Sequence, residues 1–218
     1  TGSPAVYAAF GMGLTTMIGD FATGYRIGKL AVELARKSGN ALLLARTHVL
    51  FHAVISQWMK MDEQTADALW EASRVCVESG DYVFGSYALG GLINMSYGSF
   101  PLPQFDQILR QSLQISELTN EELVYTNITI YRQLCDQLQS PDCRNFVLEA
   151  ANGDEAQALE EVVRQESGAV TLYQIYTYKT QVHYLFGNAE EAIRCALLAD
   201  PYEASAVQSP HKFILRFY

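Results

Sequence analysis

Residues 19–40, GDFATGYRIGKLAVELARKSGN, hold a whole helix with its start signal, both faces and its stop, and this segment limits what the chain around it can become. Asp20 is placed to cap the N-terminus, and Gly39 with Asn40 to end it. The helical step gathers Phe21, Gly24, Tyr25, Ile27, Gly28, Leu30, Ala31, Val32, Leu34 and Ala35 on one broad side. Arg26, Lys29, Glu33, Arg36 and Lys37 remain on the other. A helix with so wide an apolar side is packed over most of its circumference. Within that side Gly24, Gly28, Ala31 and Ala35 make a strip of small side chains, so another helix backbone can come close despite the helix-propensity cost of two glycines. The segment predicts stacked helices.

The same grammar recurs along the chain. Pro4 suits the first turn of a helix reaching about Ile18, and Gly19 and Asp20 turn it into the helix just described. A third helix is expected from Ala41 to about Met59, and a fourth from Asp62 to the Ser79-Gly80 stop. A fifth runs from Asp81-Tyr82 to about Tyr97, and a sixth from Gln104 to Leu118 after a turn with two prolines. Thr119-Asn120 reads as the cap of a seventh ending near Leu138. Asp142 to Glu149 and Glu155 to Glu166 read as shorter helical pieces. Ala169 to Phe186 and Ala189 to Ala199 form a last full hairpin, and Ser209-Pro210 sets up a final helix. In the helix from Ala169, apolar residues nearly encircle the axis, as in a helix sandwiched between neighbours, and leave a narrow polar stripe of Gln174, Thr177 and Gln181 that is a candidate interaction surface.

Hairpins therefore start near Ala5, Ala41, Tyr82, Glu121 and Ala169, a spacing close to that of helical-repeat solenoids with one stretched interval. The expected fold is all-α: an αα solenoid of about five antiparallel hairpins, with residues 1–218 as a single helical-repeat domain. A chain that opens on Thr1 without a methionine reads as a segment of a longer polypeptide.

Charge and composition narrow the function. With 24 acidic against 15 basic residues the average field repels nucleic acid and anionic membranes. Arg26, Lys29, Arg36 and Lys37 are a local reversal of that sign and a candidate interaction surface, beside the plainer reading of a solvated helix face. No run reads as a membrane span, because Ala169 to Phe186 carries Gln174, Lys179, Gln181 and His183. Cys76, Cys135, Cys143 and Cys195 are scattered without metal-site spacing and read as reduced core residues of a cytoplasmic protein.

Motifs of catalysis are missing. Thr23 to Leu30, TGYRIGKL, brushes a phosphate-binding loop, yet its first glycine is misplaced, Leu30 replaces the magnesium-holding hydroxyl, and the segment lies inside a helix. His48 and His52, four residues apart, share a helix face, but Val49 stands where a zinc protease carries its glutamate and no third ligand can be named. They read instead as one histidine packed on the core and one reaching a groove. Neither a metal nor a cofactor is expected. At the chain's end Phe213, Ile214, Phe217 and Tyr218 mark one apolar face, expected to be sticky and to allow self-association.

Tyr7, Phe10, Gly11 and Leu14, then Gly19-Asp20-Phe21, Gly24 and Ala31, with Gly187 and Ala192 later, resemble the small-and-aromatic pattern of a tetratricopeptide repeat. GDFATGYRIGKLAVEL, Trp58, ESGDYVFGSYA, Ile130-Tyr131-Arg132-Gln133 and SPHKFILRFY resemble the helical region of large bacterial signalling proteins. In those, a serine/threonine kinase domain and a STAND-type ATPase domain precede the repeats, often followed by a GAF domain and a histidine kinase. The resemblance implies a non-catalytic regulatory or scaffolding module that contacts other domains of its polypeptide or a protein partner. A ligand-sensing helical domain and an all-helical enzyme with an unrecognised site stay open beside it.

Overall fold

The structure is a computed structural model that describes residues 3–59, 63–119, 121–150, 154–206 and 211–217. Among these residues every regular element is helical and there is no strand. The α-helices are α1 (Pro4–Gly13), α2 (Phe21–Lys37), α3 (Ala41–Val49), α4 (Glu63–Glu78), α5 (Tyr82–Ser96), α6 (Leu102–Thr119), α7 (Glu122–Leu138), α8 (Glu155–Arg164), α9 (Gly168–Leu185), α10 (Ala189–Ala199) and α11 (His211–Phe217). α1 and α3 each run on into a π-helical stretch, Leu14–Ile18 and Leu50–Ile55. Among the described residues no helix is long and apolar enough to cross a membrane.

Local chemistry sets most boundaries. The Asp20 carboxylate accepts from Thr23 N–H at 3.0 Å, and the Asn40 side chain accepts from Leu43 N–H at 2.9 Å. Asp81, Asp154 and Asn188 do the same for α5, α8 and α10. Gly39, at φ +70°, supplies the left-handed residue that ends α2. Asp62, Asn120, Ser209 and Pro210, read as boundary residues, lie outside the described residues. Thr119 does not cap α7: it closes α6, its hydroxyl donating to the Ser116 carbonyl at 3.0 Å.

One expected helix is not formed. Residues 142–149 are non-helical, with Phe146 and Leu148 buried and Glu149 exposed. Their backbone is paired by side chains one helical turn apart on α7. Gln137 accepts from Val147 N–H at 2.9 Å and donates to Val147 C=O at 2.6 Å. Gln133 binds Glu149 N–H and C=O in the same way, at 2.9 and 3.0 Å. Two amides thus act as a neighbouring strand would, and the stretch needs no helix to satisfy its polar groups.

The chain divides into two compact units, Thr1–Ile128 and Thr129–Tyr218. In the first, α1 to α6 pack in succession, and α1 and α5 each also contact α3 and its π-helical continuation. The small strip of α2 performs as its sequence implies. A Cβ on Gly28 would stand 2.6 Å from the Phe51 ring, and one on Gly24 would meet the Thr15 hydroxyl and the Gly11 carbonyl. In the second unit α9 is the central element, touching α8, α10, α11 and the 3₁₀ segment Asp200–Ala206, and it buries residues around nearly its whole circumference. The four cysteines are buried thiols, none of them in a disulfide.

Candidate functional site

Within the first unit, α2 and α4 flank a cleft of about 420 Å³. α2 contributes Tyr25, Lys29, Val32, Glu33 and Arg36, spaced so that one helix face looks into the space. His48 of α3 and Phe51 and His52 of its π-helical continuation add to the lining, and Gln64 and Ala68 come from α4. The π-helical register is what sets Phe51 and His52 where they are, and such turns recur at binding sites.

The two histidines stack with ring centroids 5.2 Å apart and planes 5° from parallel. Phe51 meets the His52 ring edge-on at 4.8 Å and Tyr25 at 5.3 Å, so an aromatic layer underlies the charged groups. Burial, helped by the neighbouring Arg36 charge, lowers the His48 pKa and keeps that ring neutral near pH 7. Nδ1 of His48 is buried without a hydrogen-bond partner among the described residues, whereas His52 Nδ1 lies 3.4 Å from the Ser56 hydroxyl. Parallel stacked imidazoles do not converge on a common point. Among the described residues no group of three or more His, Cys, Asp or Glu side chains is arranged to hold a metal ion.

The structure sorts the surface residues named from sequence. Arg26, Lys29, Arg36 and Lys37 are all exposed, and of these Lys29 and Arg36 line the cleft. Gln174 and Thr177 present no surface: they are 4% and 0% exposed, and the Thr177 hydroxyl donates to Tyr173 C=O at 2.8 Å. That is a correction with a plain cause, since the polar stripe of α9 faces packed neighbours and the threonine satisfies itself on its own helix. Gln181 is half-buried. Phe217 is 80% exposed, while the Phe213 side chain lies outside the described residues.

In the second unit sequence reasoning missed a buried polar cluster. His211, the first residue of α11, is fully buried, with Nε2 3.0 Å from the Tyr131 hydroxyl and 2.8 Å from that of Tyr178. Desolvation holds its pKa down to about 3, so the ring is neutral within this hydrogen-bonded cluster, and burial likewise raises the Tyr131 pKa. Nearby on α9, Lys179 pairs with Glu155 at 2.7 Å, and the same carboxylate oxygen takes Leu148 N–H at 2.7 Å. Neither arrangement faces a described cavity, and both read as tethers of the second unit. No protein-family model matches the chain, and no curated protein or solved structure matches it.

Proposed function

We propose that the chain is a non-catalytic, regulatory or scaffolding helical-repeat module, a TPR-like solenoid of antiparallel hairpins that makes protein–protein or interdomain contacts. The observation that supports it most is the packing of the first unit, where each helix rests on the next and α3 also touches both α1 and α5. Stacking of that kind builds lateral surface rather than one enclosed reaction chamber. The setting within a bacterial ATPase or kinase signalling polypeptide rests on the sequence resemblance alone. The test is retention of separately produced segments from the same reading frame on the tagged chain. Micromolar retention of at least one is expected, and a frame none of whose segments binds would remove this reading.

A second reading, ligand sensing, is favoured by the α2–α4 cleft. Its volume falls in the range of small-molecule sites, and it joins an aromatic floor to charged walls.

A further inference from the structure

We propose that the α2–α4 cleft binds a small organic dianion of the dicarboxylate class, with its acidic groups about 10 Å apart on an apolar spacer. The inference rests on the ligand-sensing reading and adds the chemistry of the ligand.

Lys29 and Arg36 both line the cleft and are seven positions apart on α2, two turns along one face and about 10.5 Å along the axis. Side chains rising from points so separated bracket an extended molecule better than they grip one compact anion. Neither cation has an ion pair among the described residues, so both charges are available. Glu33 lines the cleft between them and places a negative charge opposite the middle of the ligand. A third anionic group there would be repelled, so the spacer is uncharged. Val32 and Phe51, both nearly buried, offer that spacer an apolar bed. The lining thus carries one net positive charge, two cations against one carboxylate, in a chain whose net charge is -9.

Calorimetric titration of the whole chain at low salt tests this with four probes: suberate, succinate, inorganic phosphate and neutral octanediol. Suberate is expected to bind about tenfold more tightly than succinate or phosphate. Lys29→Ala and Arg36→Ala should each weaken suberate about tenfold, and Glu33→Gln should tighten it a few-fold. All three positions are exposed, so the variants keep the fold, and far-UV circular dichroism verifies it. Suberate no tighter than succinate or phosphate, or equally tight to both alanine variants, overturns the proposal. Binding of octanediol or phosphate alone overturns the dianion but leaves ligand sensing standing. If none of the four binds, the dianion proposal fails and ligand sensing loses its support with it.

Discussion

The hydroxyl of Tyr178 stands 2.8 Å from Nε2 of His211, joining the middle of α9 to the first residue of α11 across 33 positions of sequence. The contact is fully buried, and the same nitrogen also lies 3.0 Å from the Tyr131 hydroxyl of α7. A neutral histidine is therefore part of the tether that holds the last helix.

That neutrality predicts acid lability. The folded-state pKa of His211 is about 3 against an ordinary 6.5, so on acidification the unfolded chain takes up the proton first. The stability this group protects is complete above pH 6.5 and is lost progressively as pH falls toward 3. Between pH 7 and 5 the loss from this residue should be about 2 kcal/mol. His48 and His183, whose pKa values are also lowered by burial, push the same way. The measurement is urea unfolding at both pH values for wild type, His211→Gln and Tyr178→Phe. The glutamine variant should lose about that much of the pH dependence, while Tyr178→Phe lowers stability but keeps the slope. An unchanged slope in His211→Gln would refute the assignment.

Gln137 predicts a local effect. Its amide makes both bonds to Val147, so Gln137→Leu leaves a part-buried N–H and C=O unpaired, at a cost of about 1 to 3 kcal/mol. Val147 amide exchange should quicken at least about fivefold by the same energy. Gln137→Glu keeps the acceptor and loses the donor, and should fall between the two.

Two glycines predict opposite signs for one substitution. Alanine gains about 0.5 to 1 kcal/mol over glycine inside a helix. At Gly13, with right-handed helical φ and nothing near an added Cβ, that gain stands alone and Gly13→Ala should stabilise. At Gly28 the Cβ would stand 2.6 Å from the buried Phe51 ring, and overpacking of about 1 to 3 kcal/mol outweighs it. Thermal melts should move in opposite directions, and an upward shift for Gly28→Ala would show that the α2 strip is not tightly packed.

These cases also show which features are written locally. Asp20, Asn40, Asp81 and Asn188 cap helices within three residues of themselves, and the glycines that follow helices are equally local, so helix positions are readable from sequence. The stretch 142–149 was misread because its partners, Gln133 and Gln137, lie on another element and take the place of backbone hydrogen bonds. Gln174 and Thr177 look like a polar stripe to any helical projection, and only packing shows that the stripe is covered. His211 gave no signal because its partners are 80 and 33 positions away. For the cleft, the cationic face of α2 was legible. Its meeting with the stacked His48 and His52 depends on how α3 passes into the π-helical stretch, which no sequence period announces.

The ion pair of Lys179 and Glu155 gives a prediction that turns on what is left behind when one partner goes. The Lys179 side chain is 11% exposed and that of Glu155 29% exposed, with 2.7 Å between Nζ and Oε1. Glu155→Gln keeps an acceptor for Leu148 N–H but leaves the ammonium buried without a counter-charge, which should cost about 2 to 3 kcal/mol given the partial exposure. Lys179→Met strands the carboxylate, which still has its backbone donor and some access to water, and should cost about 1 kcal/mol. The double variant carries no buried charge and keeps the Leu148 bond, so it should return to within about 1 kcal/mol of wild type. Urea unfolding of the four proteins gives a coupling energy of at least about 2 kcal/mol if the pair acts as one unit. Costs that simply add would mean that Lys179 reaches water and that the pair does not hold α8 to α9.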